Sequence, residues 1–331
     1  MFAEWEPQEF VQLVFPHKDT DWNEYLEDAV KAFVDIAKII AEYQKVLIIT
    51  KNTEHIKSLF PRKKNLSFVN IDSNDTWSRD FGGISVEQEG KPFILDFQFN
   101  AWGKKFQYDK DNKITQKMKL KGLLKGYSHQ SIKFVLEGGS IESNGEGIIL
   151  TTTECLTEKN RNPRLKKKQI EKYLMQFLGA KKILWLDHGY LAGDDTDSHI
   201  DTLARFVNKD TIVYQSCDDK SDEHYEELKK MEEELKSFKT LSGKSFNLVP
   251  LPWIEAKYDG SDRLPATYAN FLIINGAVLV PVYNDKNDEK ALGVFKKIFP
   301  KRDVVGIDCS TLIRQHGSLH CVTMQYPKLK N

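Results

Sequence analysis

Apolar residues recur at helical spacing between Asp21 and Tyr43, at Trp22, Leu26, Val30, Phe33, Ala37 and Ile40. Positions three and four apart share one helix face, so residues 21–43 predict an amphipathic helix. Asp21 is the expected N-cap, with Glu24 three residues on. An apolar run at residues 46–50 predicts a strand after it. Residues 163–178 predict a second helix, stopped by Gly179 and followed by a strand at residues 182–186. Residues 223–238 predict a charged, surface-type helix ending near Gly243. Residues 289–299 predict a shorter helix before a strand at residues 304–308. Helices alternating with strands place the chain in the α/β class.

A second pattern lies across the first. Four segments read as β-hairpins with Gly or Asn at the turn. They span residues 84–99 around Glu89-Gly90, 140–153 around Asn144-Gly145, 203–215 around Asn208-Lys209-Asp210, and 270–283 around Asn275-Gly276. Each follows a short polar phrase: Trp77-Ser-Arg-Asp80, Glu137-Gly-Gly-Ser, Asp197-Ser-His199-Ile-Asp201 and Pro265-Ala-Thr-Tyr-Ala-Asn270. A fifth phrase, His316-Gly-Ser-Leu-His320-Cys321, leads into the last apolar strand. These phrases recur roughly every fifty to seventy residues, the mark of a degenerate internal repeat. If equivalent strands begin around one axis, their leading phrases converge on one pocket.

The chain has 331 residues, with 48 Lys+Arg against 48 Asp+Glu. That balance gives no basic footprint for nucleic acid and no general attraction to anionic lipid. The Lys-rich stretches at residues 104–125 and 164–168 read as solvated surface, because aromatic platforms are not interleaved with them. No apolar stretch approaches spanning length, and the start does not read as a signal peptide. Four scattered cysteines (155, 217, 309 and 321) argue against a disulfide framework and for a reducing cytoplasm. No linker divides the chain, so residues 1–331 read as a single domain.

Among the cysteines, Cys321 alone sits at a loop–strand junction, beside His320. A nucleophilic thiol needs access and a neighbouring positive group, whereas an arbitrary cysteine is more often a core filler. Cys155, Cys217 and Cys309 lie in or beside apolar strands and read as structural. Asp195, Asp197, His199 and Asp201 alternate, so an extended segment would turn all four to one face. Such a face suits a catalytic His with carboxylates for a cationic substrate; a metal site and a polar loop are the alternatives. Asp80 lies three residues from Trp77. A carboxylate can bind a guanidinium through two parallel hydrogen bonds and Trp can stack on its face; the plainer alternative is a buried Trp and an Arg79–Asp80 ion pair. The glycines after Glu137 permit a tight turn or the close approach of a ligand.

Taken together these phrases are far more specific than any one of them. Asn74-Asp-Thr-Trp-Ser-Arg-Asp80, Glu137-Gly-Gly-Ser, residues 150–156 with Asn160-Arg-Asn-Pro163, residues 193–201, residues 265–271 and His320-Cys321-Val-Thr resemble the agmatine deiminase and bacterial-type peptidylarginine deiminase family, in the family's order. Ala3-Glu-Trp-Glu-Pro7 resembles its opening. The resemblance implies a five-bladed, pseudo-symmetric α/β propeller of the pentein kind, built from five degenerate ββαβ-type repeats. It implies Cys321 as nucleophile, Asp80 and Asp201 gripping a guanidinium, Glu137 orienting the site and His199, and no metal or organic cofactor. It points to a small-molecule guanidine as partner and to a homodimer. Agmatine is the favoured substrate, with Trp77 and Asp195 as candidates for its far end. A peptidylarginine deiminase, a metal-dependent hydrolase and a silent guanidine-binding protein are the alternatives. Two departures fall in the pocket: Gln315-His-Gly-Ser-Leu319 replaces the family's Gly-Gly-Gly-Asn-Ile, and Ser198 stands where the family has Gly.

Overall fold

The turn residues of the four expected hairpins explain why the strands pair as they do. Glu89 and Gly90 both have positive φ, 51° and 77°, as a two-residue turn needs to match the twist of its strands. They join Ile84–Gln88 to Lys91–Gln98. The other hairpins pair Ile141–Ser143 with Ile148–Thr152, Ala204–Asn208 with Thr211–Gln215, and Leu272–Ile274 with Ala277–Val282. Asn144 Oδ1 accepts from the amides of Glu146 and Ile148, each at 3.0 Å, which closes its turn through a side chain.

Each antiparallel pair is extended by a third strand running parallel to the second. These are Ser128–Val135, Lys182–Leu186, Asn247–Leu251 and Asp303–Asp308. A parallel neighbour needs a crossover, and the crossovers hold the helices, among them Ile114–Leu120, Lys167–Leu178, Tyr225–Ser237 and Asp288–Ile298. A further sheet joins both ends of the chain. Thr323–Pro327 pairs antiparallel with Gln8–Val14, and Lys45–Thr50 and Leu66–Asn70 follow in parallel. Five separate sheets of one plan result, plus a small hairpin, Lys257–Asp259 with Asp262–Leu264. The structure, a computed structural model, describes residues 1–329. Among them the fold is mixed α/β, no sheet closes on itself, and no helix is long and apolar enough to cross a membrane.

Three expectations about local structure need correction. The first α-helix runs over Leu26–Tyr43, after a short 3₁₀ turn, and Asp21 does not cap it. Trp22 is drawn out of the helix because its indole N–H donates to Asp75 Oδ1 and Thr76 Oγ1. The second helix starts at Lys167 rather than Pro163, because residues 161–164 are held in a turn by the tertiary bonds of Arg161. Residues 195–201 are not extended: Asp197 and Ser198 both have φ of 64° and lead into a 3₁₀ turn, Ile200–Thr202. Asp195, Asp197, His199 and Asp201 therefore do not share one strand face.

Candidate active site

The five leading phrases meet at one place. Gly139 marks the meeting point: a methyl group on its Cα would lie 2.6 Å from His199 Nδ1, 2.9 Å from Asp80 Oδ1 and 3.1 Å from Asp201 Oδ2. The loops leading into two other sheets thus press side chains against one glycine, which is why no larger residue fits after Glu137-Gly. The Gly139 amide also donates to Asp80 Oδ1 at 3.0 Å. Asp80, Glu137, His199, Asp201 and Cys321 are all buried.

Asp80 is not paired with Arg79. Arg79 points away, to Glu4 at 3.7 Å and to the His320 carbonyl at 3.4 Å. The second oxygen of Asp80 accepts from the Trp102 indole at 3.0 Å. Burial pushes the Asp80 carboxyl up to about 6; His199 opposes this, while Asp201 and Glu137 add to it. His199 Nδ1 lies 3.7 Å from Asp80 and its Nε2 lies 4.0 Å from Glu137. Burial alone would lower the His199 pKa, but Asp80, Cys155 and Glu137 outweigh it and hold the imidazolium well above its ordinary range. Cys321 Sγ is 3.5 Å from Asn270 Oδ1. Burial, then the charges of Asp201 and Asp80, push its thiol well up, so the unliganded site holds a neutral thiol.

Of these five, Asp80 and Cys321 line a cleft of about 500 Å³ together with Trp77, Trp102, Asp195 and His316, among others, while Glu137, His199 and Asp201 lie behind that lining. Its lining includes Asp21, Asp75, Asp80 and Asp195 but neither Lys nor Arg. Asp195 is pushed up to about 6 by burial and by Asp194. Asp197, by contrast, is spent on structure: its oxygens pair with Lys105 at 2.9 Å and Arg161 at 2.6 Å. The two departures from the family pattern have a backbone signature. Ser198 and His316 each have φ of 64°, a conformation that glycine adopts without strain. Here local bonds hold it instead, from the Ser198 amide to Asp194 at 2.7 Å and between His316 Nδ1 and the Gly193 carbonyl at 2.8 Å. Gly317 keeps its identity because a Cβ there would sit 2.2 Å from the Trp77 ring.

Several contributors were not singled out by sequence. Arg161 Nε donates to both oxygens of Glu137, at 2.9 and 3.0 Å, and its Nη2 donates to the Thr196 carbonyl. It ties Glu137 to the His199 loop, and its signal was the Asn160-Arg-Asn-Pro163 phrase. Asn270 Oδ1 accepts from the amides of His320 and Cys321 while its side-chain amide donates to the Asp201 carbonyl, joining the loops of Cys321 and Asp201. Trp102 carried no signal, lying between the hairpin read at residues 84–99 and the Lys-rich stretch at residues 104–125. Cys155 is more than filler: Glu137, Cys155 and His199 place ligand-type atoms within 4.8 Å of one another, the one such group among the described residues. Both Glu137 oxygens are already taken by Arg161, so the trio reads as the surroundings of His199. The alternative of a metal set from Asp195, Asp197, His199 and Asp201 does not assemble among the described residues, since Asp197 is engaged by Lys105 and Arg161.

Known proteins resemble the chain along its whole length. The sequence profile of the Porphyromonas-type peptidyl-arginine deiminase family matches residues 1–327. A Latilactobacillus sakei protein provisionally named as an agmatine deiminase is 33% identical over 353 residues, covering 99% of this chain and 95% of its own. An agmatine deiminase from C. jejuni, solved as a cysteine-to-serine variant with substrate bound, superposes with a TM-score of 0.94 at 43% identity and covers 100% of this chain and 96% of its own. A provisionally named arginine deiminase from Porphyromonas gingivalis superposes with a TM-score of 0.95 at 51% identity, covering 99% and 98%.

Proposed function

The chain belongs to the Porphyromonas-type peptidyl-arginine deiminase family, and from that premise we propose that it is an agmatine deiminase, a cysteine-dependent hydrolase of the guanidinium group. The carrying observation is a cleft in which Cys321 and four aspartates stand together with neither Lys nor Arg in the lining. Agmatine is cationic at both ends and suits such a cleft. Free arginine would need a cation for its carboxylate. Lys105, beside the cleft, is bound to Asp197 and to the Asp195 carbonyl. A peptidylarginine substrate stays the second reading, favoured by the family description.

In the reaction, Asp80 and Asp201 pair with the guanidinium N–H groups and hold its carbon over Cys321 Sγ. Asp201 Oδ1 is buried with no hydrogen-bond partner, an acceptor left for such a donor. A bound cation also offsets the charges of Asp201 and Asp80, which add to burial in holding the Cys321 thiol up. Cys321 gives its proton to solvent as the cation binds, and the thiolate attacks the guanidinium carbon. His199 gives its proton to the departing nitrogen, and ammonia leaves a thiouronium on Cys321. Neutral His199 then takes a proton from water as the water adds to the same carbon. Collapse of that adduct expels the Cys321 thiolate and gives N-carbamoylputrescine. Glu137, fixed by Arg161, stabilises the His199 imidazolium needed for the first step.

Five sheets of one plan support a five-bladed, pseudo-symmetric propeller forming a single domain. Four free cysteines suit a reducing cytoplasm. The test is ammonia release from agmatine, peptidyl-arginine and arginine, with Cys321→Ser as control. Agmatine-selective release, falling at least about a thousandfold in the variant while agmatine still binds, is expected for loss of a covalent nucleophile. Substantial turnover by Cys321→Ser would overturn the mechanism, and preference for peptidyl-arginine would overturn the substrate.

A further inference from the structure

Asp201 offers its two carboxylate oxygens to different surroundings. Oδ1 is free, whereas Oδ2 lies 2.7 Å from His320 Nδ1. The other ring nitrogen of His320 lies 2.6 Å from Glu4 Oε2, on the segment preceding the first strand. Glu4 is in turn fixed, by the Ile273 amide at 2.7 Å and by Arg205 Nη2 at 2.9 Å. Asp201, His320 and Glu4 are 0%, 2% and 8% exposed, so water does not share these contacts.

Hydrogen-bond accounting constrains the protons. A carboxylate only accepts, and a neutral imidazole donates from one nitrogen alone. Carboxylates on both nitrogens require two N–H groups unless one acid is protonated. The neighbours favour ionised acids. Burial works to raise Glu4, but Arg205, His320 and Arg79 outweigh it and hold it well below the usual carboxylate range. Burial is likewise outweighed at Asp201, where His320 is the main opposing partner. The charged and titratable groups facing His320 are Asp201 and Glu4 directly, Arg79, Arg205 and Glu142 behind Glu4, and His199 and Cys321 beyond Asp201.

We infer that His320 is a positioning residue: a buried ring that donates from both nitrogens, to Glu4 and to Asp201, and so ties down one oxygen of Asp201 and leaves the other for the guanidinium. The inference rests on the reading of Asp201 as a substrate-gripping carboxylate. It gives the N-terminal phrase Ala3-Glu-Trp-Glu-Pro7 a part in binding, though Glu4 itself does not line the cleft. A carboxylate held in one orientation loses less freedom when it binds, which is where a pre-organised site gains its affinity.

The test begins with the unliganded wild-type protein carrying ¹⁵N-labelled histidines. His320, assigned by the signal lost in His320→Asn, should show a hydrogen-bonded proton on each ring nitrogen. A ring with a proton on one nitrogen only overturns the inference, whatever the substrate proves to be. In Glu4→Gln, KM for agmatine should rise about tenfold with kcat less affected, the size of one charge-assisted hydrogen bond. A folded Glu4→Gln protein with wild-type KM also overturns it. If the wild type deaminates no guanidine, the functional reading fails and the histidine measurement still decides the hydrogen bonding of His320.

Discussion

Asp80 shows how single atoms set the working range of the site. A guanidinium can be gripped only by its ionised form, and burial has pushed its carboxyl up to about 6. The acid limb of kcat/KM, which reports groups of the free enzyme, is therefore expected near pH 6. The Trp102 indole donates to the ionised carboxylate and so pulls the pKa down. Trp102→Phe removes that donor and keeps most of the ring. Its acid limb should move upward by about one unit, the scale of one hydrogen bond to a charged group. A pH profile of the two proteins checks this, and an unmoved limb would mean that another group controls it.

At the scale of elements, the hairpins were legible in sequence and the outer strands were not. Glu89-Gly90 and Asn144-Gly145 advertise their turns because few residues accept positive φ. Ser128–Val135 and Asn247–Leu251 each pair along one side only and are partly exposed, so polar residues and Pro250 interrupt the apolar run that would have betrayed them. Cys321, Asp80, Glu137 and His199 stood out as phrases, because each sits just before a strand begins. Trp102 was not, because its position depends on an unusual backbone. Ala101, Trp102, Gly103 and Lys104 have φ of 50°, 52°, 88° and 70°, a left-handed turn. Asn100 Oδ1 secures it by accepting from the Gly103 amide at 3.0 Å. Left-handed residues other than glycine each cost about 1–2 kcal/mol, strain of the kind found at functional sites. Lys104 is exposed, so Lys104→Gly should raise stability by up to about 1 kcal/mol. In a right-handed helix a Gly substitution would lower stability by a similar amount. Urea midpoints of the two proteins settle the sign.

Across the whole molecule, the cleft is a place where the unliganded fold bears unfavourable charge. Asp75 is pushed up to about 7 by burial and Asp21, and Asp80 and Asp195 are pushed up to about 6. A carboxyl whose folded pKa exceeds its unfolded value binds a proton more tightly when folded. Its stabilising effect is present below the unfolded pKa and is lost as pH rises through the folded one, here between about pH 4 and pH 7. At about 1.4 kcal/mol per unit, Asp80 alone costs the empty protein about 3 kcal/mol at neutral pH. A bound dication removes that burden by supplying the missing counter-charge, but at pH 5 the carboxyls must first give up protons. Agmatine should therefore raise the Tm of Cys321→Ser more at pH 8 than at pH 5. Asp96 separates this from a general pH effect. It too is pushed up to about 6 by burial, yet it contacts Ser131 and does not line the cleft. Asp96→Asn should leave the pH dependence of the agmatine shift unchanged. Equal shifts at both pH values would mean that the raised carboxyls of the cleft do not receive the substrate's charge.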